Sequence, residues 1–243
     1  GVAIRMSRNP RYDILFDPVK IGPVTAPNRF YQVPHASGMT EANPRVRAAF
    51  RETKAEGGWG VVSTQETEIH PSSDLTPYNE GRLWDDTDIP ALRLMTEAVH
   101  AHQSLAAIQL VHNGLHAPNR YSRLSPLAPS AAAVDGNDPV QARAMDKTDI
   151  RQFRKWHVAA ARRARTAGFD IIYIYAGHDM TLLQQIGTDC AARVVGLYSY
   201  PKSGNTWVRS IIAAACGMPD DPGTLQRYVT DTHKGRVMAD PWA

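Results

Sequence analysis

The 243-residue sequence predicts an α/β fold: four βα units of a (β/α)8, or TIM, barrel, followed by a strand–loop–helix of phosphate-loop type. Three observations carry this. Short apolar segments alternate with segments of helical periodicity. The apolar segments are hydrophobic throughout, as strands covered on both faces of a parallel sheet are. Polar residues gather at their carboxyl ends, namely His35, Gln65 and Glu66, Gln109 and His112, and Tyr175 and His178. That edge is where barrel enzymes place their chemistry. A complete barrel takes roughly 250 residues and eight strands, so the chain is read as half of one.

FYQVPH (30–35) is the first strand. Pro44 then opens a helix whose positions Val46, Ala49, Phe50 and Thr53 follow helical spacing, and Gly57 with Gly58 stops it. WGVVSTQETEI (59–69) is the second strand. A loop containing Pro71 and Pro77 leads to a helix in TDIPALRLMTEAVHAHQ, with Thr87 or Asp88 as cap and Pro90 in the first turn. Ile89, Leu92, Met95 and Val99 form its buried stripe. LAAIQLV (105–111) is the third strand, and 112–145, rich in Pro, Ser and Ala, reads as a loop. DIRQFRKWHVAAARRARTAG forms a helix with Ile150, Phe153, His157, Ala160 and Ala164 inward and Gly168 as its stop. FDIIYIYAG (169–177) is the fourth strand.

Composition narrows the function. A hydrophobic fraction of 43% supports a core. The net charge of +3 is spread without runs of Lys or Arg beyond pairs, which predicts no nucleic-acid partner. Cys190 and Cys216 sit in no CxxC or histidine pairing, so neither a disulfide framework nor a metal site is expected and a cytoplasmic setting fits. No apolar run reaches the roughly 18–20 residues of a membrane helix. The opening GVAIRM is too short for a signal peptide.

DILFDPVKIGPVTAPNRFYQVPH, KAEGGWGVVSTQETEIHP, IQLVHNGLHAPN and GFDIIYIYAGHDMTLLQ closely resemble the N-terminal part of the flavin-dependent old yellow enzyme group, nearest its trimethylamine and dimethylamine dehydrogenase branch. The resemblance runs from about Tyr12 to Gln185. It implies an FMN-binding barrel that oxidises or reduces a small organic substrate through flavin N5. It places Val33, Pro34, His35 and Ala36 along the flavin edge and Gln109 on the flavin pyrimidine, with Tyr175 and His178 facing the substrate. The amine dehydrogenases attach FMN through a cysteine directly after VPH. Ala36 stands there in this chain, so FMN is expected to be held non-covalently. Glu66 replaces a substrate-enclosing tyrosine and could pair with a cationic substrate, at the cost of desolvating a carboxylate. Barrel families commonly grip the cofactor phosphate with loops after the seventh and eighth strands, so this chain alone is expected to hold FMN weakly or not at all. Taken singly, Gln109 reads as a core amide, and His112, His116 and His178 as loop or core histidines. Only the joint pattern at successive strand ends points to a flavin.

The flavin-type half is expected to cover 1–186, with a junction at 187–192. The remainder, 193–243, carries RVVGLYSYPKSGNTW, which resembles the start of a cytosolic sulfotransferase. Its turn is a near miss to the GxxxxGK[ST] loop, with proline at the second glycine. The amides of Ser203, Gly204, Asn205 and Thr206 would point from a helix N-terminus toward an anion. Lys202 adds charge, and Trp207 would lie near the nucleotide. The resemblance implies the donor nucleotide PAPS as ligand. Two rivals stand beside the oxidoreductase: a PAPS- or phosphate-binding fragment, and an inactive chimera or gene remnant. Open half-barrels leave sheet edges unpaired, which favours closure of two copies into a homodimer.

Overall fold

The structure, a computed structural model, describes residues 9–38, 43–75, 80–134, 140–177, 181–183 and 185. Asn9 caps a 3-10 turn, Pro10–Phe16, by accepting from the Arg11 amide. β1 (Val19–Ile21) and β2 (Val24–Ala26) pair antiparallel around Gly22, whose φ of +55° needs no Cβ penalty. β3 (Tyr31–Gln32), α1 (Pro44–Glu56), β4 (Val61–Glu68), a two-residue β5 (Gly81–Arg82), α2 (Ile89–His100) and β6 (Leu105–Val111) follow. A small sheet of β7 (Leu127–Ala128), β8 (Ala132–Ala133) and β9 (Gln141–Ala144) precedes α3 (Lys147–Thr166) and β10 (Ile171–Ile174).

β3, β4, β6 and β10 lie side by side in chain order, each parallel to the next. Consecutive parallel strands with a helix crossing between each pair form an arc of a barrel. On the outer face, Val62, Ala106, Ile108 and Leu110 pack with Ile172 and Ile174 against Leu92, Met95 and Val99 of α2 and Phe153, Ala160 and Ala164 of α3. Each large apolar side chain buried there contributes roughly 1.5–3 kcal/mol. On the inner face, Val61, Leu105, Ala107 and Ile171 meet Val19, Ile21 and Ala26 of the hairpin. These are early residues of their strands. The hairpin therefore plugs the amino end of the arc and leaves the carboxyl end free.

Several expectations need correction. α1 has the expected limits, but Val46, Ala49 and Thr53 are exposed and Phe50 is half-buried. Its buried face is Arg47, Ala48, Arg51 and Ala55, because acceptors at the end of β3 draw Arg51 inward. Asp88 holds the N-cap position of α2, as one of the two expected residues, but its side chain makes no cap hydrogen bond to that helix. Asp85 caps the preceding 3-10 turn, Asp86–Asp88, while Asp88 accepts from Arg82 Nε and the Trp84 amide, both at 2.8 Å. α3 begins earlier than expected, because Asp146 and Asp149 form a capping box. Ile150 is half-buried rather than in the core. The first and fourth strands are shorter than expected, and 112–145 holds β7, β8 and β9 rather than loop alone. After the fourth strand Leu182, Leu183 and Gln185 are helical, and the whole segment 193–243 lies outside the described residues.

Candidate functional site

The site begins with an irregularity. Ser63 pairs with Ala107 and Glu66 with Gln109, so β4 carries one residue more than β6 between these pairs. Side chains alternate along a strand, and without this bulge Gln65 rather than Glu66 would lie beside Gln109. The Thr64 hydroxyl fills the break by accepting the Gln109 amide at 3.1 Å. On the other side β10 sets Tyr173 next to Gln109. β5 sets Gly81 next to Thr67, which brings Glu80, one residue earlier, alongside Glu66. Glu80, Glu66, Gln109 and Tyr173 thus form one row across the sheet.

That row lines a cavity of about 560 Å³ at the carboxyl edge, together with Tyr31, Val33, Pro34, His35, Ala36 and Tyr175. Gln109 is 5% exposed, and its side-chain amide has no hydrogen-bond partner among the described residues. Ser63 Oγ donates to the Tyr31 hydroxyl at 3.0 Å, and burial raises the phenol pKa, so Tyr31 stays neutral. Past β3, the chain is fixed by Arg51, which donates to the His35 carbonyl at 2.8 Å and to Gln32 Oε1 at 3.2 Å. Gln32 Nε2 lies 3.0 Å and the Val33 carbonyl 3.4 Å from His35 Nδ1. Partial burial and the charge of Arg51 lower the His35 pKa.

The two carboxyls differ in setting. Burial, then the neighbouring Glu66 charge, pushes Glu80 up to about 8. Glu80 is 7% exposed, and its Oε2 has no hydrogen-bond partner among the described residues. Glu68, further along β4, is raised by burial as well, and accepts from the Leu75 amide at 2.7 Å and Asn113 Nδ2 at 3.2 Å.

The expected residues at positions 33–36, 66, 109 and 175 therefore come together around one cavity. His178 and Lys202 through Trp207 lie outside the described residues, as does the junction at 187–192. His112 is a core residue: its Nδ1 accepts the Gly114 amide at 3.1 Å and its Nε2 lies 2.9 Å from Ser72 Oγ. Sequence reasoning missed Tyr31, Tyr173 and Glu80. Alternation from Tyr175 would have found Tyr173, and from Val33, Tyr31; nothing marks Glu80 in its loop. Among the described residues no group of three His, Cys, Asp or Glu is placed to hold a metal ion, and no helix is long and apolar enough to cross a membrane.

Residues 14–188 match the NADH:flavin oxidoreductase / NADH oxidase family. The dimethylamine dehydrogenase of Hyphomicrobium sp. is 36% identical over 237 residues, covering 95% of this chain and 32% of that protein. The NADPH dehydrogenase of Listeria welshimeri is 30% identical, covering 93% of this chain and 67% of the relative. Among solved structures, histamine dehydrogenase from Rhizobium sp. 4-9 superposes with a TM-score of 0.79 at 44% identity, covering 88% of this chain and 33% of its own. The chain thus spans about a third of the length of the two amine dehydrogenases. The Hyphomicrobium match leaves too little of the chain unmatched to omit all of 193–243, and nothing in these comparisons shows a sulfotransferase portion. A cavity at the carboxyl edge of parallel strands and a family match across most of the sequence agree: the chain belongs to the NADH:flavin oxidoreductase / NADH oxidase family.

Proposed function

We propose that the cavity seats a non-covalently held FMN and that the chain forms the flavin-facing part of an oxidoreductase for small organic amines. The observation that carries this is the row Glu80, Glu66, Gln109 and Tyr173 facing one cavity. Its volume, about 560 Å³, falls within the roughly 300–1,000 Å³ of cofactor sites. The Gln109 side-chain amide, which lines the cavity, offers a donor and an acceptor side by side, complementary to a flavin pyrimidine. Ala36 lines the cavity with a methyl group, which cannot form a thioether to the cofactor. When bound, FMN supplies the electron acceptor. Tyr175, with His178 by resemblance, would orient the substrate, and Glu66 would pair with its cationic nitrogen. An amine is favoured by the likeness to the dimethylamine and histamine dehydrogenases, and a cytoplasmic setting by the cysteine usage.

Quenching of FMN fluorescence by the purified chain tests the seat. Wild type is expected to bind weakly and saturably, and Gln109→Leu about tenfold more weakly, roughly 1.4 kcal/mol, with an unchanged melting midpoint. Equal affinity of the two proteins, or no quenching at all, rejects it. For 193–243 the phosphate-loop reading remains a proposal carried by YPKSGNTW alone. Calorimetric heat with 3′,5′-ADP that disappears in Lys202→Ala supports it, and absence of heat removes it.

A further inference from the structure

We propose that Thr64 is a positioning residue of the flavin seat: its hydroxyl holds the break in β4 that turns Glu66 and Gln109 together into the cavity. This rests on the flavin reading above and deepens it. Between the pairs Ser63–Ala107 and Glu66–Gln109, β4 carries Thr64 and Gln65 where β6 carries Ile108 alone. Bulges are rare between parallel strands, and next to active sites they re-aim side chains. Ile108 lies in the helix-facing core, and a side chain set opposite it would ordinarily be apolar. Thr64 is 1% exposed and brings a hydroxyl there.

The hydrogen-bond ladder accounts for that hydroxyl. Leu105 donates its amide to the Gly60 carbonyl at 2.9 Å. Every second residue of a parallel strand bonds to the same neighbour, so the amides of Ala107 and then Gln109 also face β4. At Gln109 the Thr64 hydroxyl accepts, at 3.1 Å. The Thr67 hydroxyl lies 3.3 Å from Thr64 Oγ1 and donates to the Gln65 carbonyl at 3.2 Å, bracing the bulge from within. β5 closes over it: a Cβ on Gly81 would meet Thr67 Oγ1 at 3.0 Å and the Glu66 carbonyl at 3.3 Å, so glycine lets β5 come this near. Valine has the shape of threonine but no acceptor. With valine at 64, the Gln109 amide is either buried without this partner or paired by a regular ladder, which sets Gln65 rather than Glu66 beside it. In both cases the Gln109 side chain loses its fixed place in the cavity wall.

Hydrogen exchange of the Gln109 amide, read in the whole chain without FMN, tests the hold directly. Thr64→Val is expected to speed that exchange about tenfold or more. Thr64→Ser keeps the hydroxyl and should stay close to wild type. Quenching of FMN fluorescence tests the consequence. Thr64→Val is expected to bind FMN about tenfold more weakly than wild type, and Thr64→Ser to recover most of the affinity. Thr64→Val combined with Gln109→Leu should bind no more weakly than Gln109→Leu alone, whereas a general loss of structure would add to it. Unchanged exchange in Thr64→Val, no recovery in Thr64→Ser, or additive losses overturns the proposal. Thr64→Ala, equally without a hydroxyl, carries the same expectations if Thr64→Val fails to fold. The two failures are separable. A wild type that quenches no FMN rejects the seat, and exchange of the Gln109 amide then still decides whether Thr64 holds the bulge.

Discussion

Arg51 is fully buried, yet its guanidinium meets the Gln32 side chain and the His35 carbonyl where the chain leaves β3 to line the cavity. Burial, with Arg47 adding, lowers its pKa to about 10, so it is charged at neutral pH. A charged fork on a backbone carbonyl fixes residues 33–36 more firmly than apolar packing would. Arg51→Ala is expected to destabilise by roughly 2–4 kcal/mol, from lost charge-assisted bonds and a stranded carbonyl. Arg51→Lys should recover little, since an ammonium lacks the fork. Urea unfolding measures both, and a loss below about 0.5 kcal/mol for the alanine variant would contradict this role. The sequence did not reveal this link. Periodicity rules weigh apolar residues, and an arginine counts as solvent-facing in all of them. His35 and Gln109 were legible because strand ends follow from the apolar runs themselves, whereas Val33, Pro34 and Ala36 came only through the family resemblance. Glu66 was legible as a strand-end polar residue, but the bulge that places it beside Gln109 was not, because an inserted residue leaves no mark in composition.

At the scale of elements, α3 was the most readable. Its inward Phe153, His157, Ala160 and Ala164 are all buried, because a helix of this length repeats its pattern several times. The two- to four-residue strands of the hairpin and the small sheet repeat nothing, and they escaped notice. His157 also gives α3 an acid sensitivity. Its Nδ1 donates to the Phe153 carbonyl at 3.1 Å. Burial nevertheless dominates and holds its pKa near about 4. An unfolded histidine takes a proton below about 6.5, while the native one stays neutral until about 4. Between these values the unfolded state binds more protons. The contribution is therefore complete above the unfolded pKa and is lost as pH falls through the folded one, and a shift of this size is worth roughly 3 kcal/mol. His157→Gln removes the titration. The stability of wild type relative to this variant is expected to shrink by roughly 3 kcal/mol between pH 7 and pH 4. Urea midpoints of both proteins at three pH values test this, and a constant difference refutes it. Subtracting the variant cancels His70, which burial also lowers, while His112, lowered first by burial, also feels His157 and so contributes to the same difference.

Across the whole molecule, the arc ends at β10 and β3, and among the described residues no further strand pairs beside either. Tyr173 on β10 is 42% exposed, and Ile171, Ile172 and Ile174 are only half-buried. β4 and β6, flanked on both sides, are buried along nearly their whole length. The contrast follows from topology rather than composition, since β4 (VVSTQETE) is the more polar strand and yet the more buried, while the apolar β10 (IIYI) is not fully buried at any position. An apolar strand with an unpaired row of amides and carbonyls templates another strand, and no Lys or Pro in Ile171–Ile174 blunts it. The hairpin closes the amino end of the arc but does nothing for this lateral edge. We therefore expect the isolated chain to self-associate. Sedimentation velocity should detect species at or above twice the 26.8 kDa chain mass, with the fraction rising with concentration. A species of 26.8 kDa at every concentration would mean that residues of the chain itself cover the β10 edge.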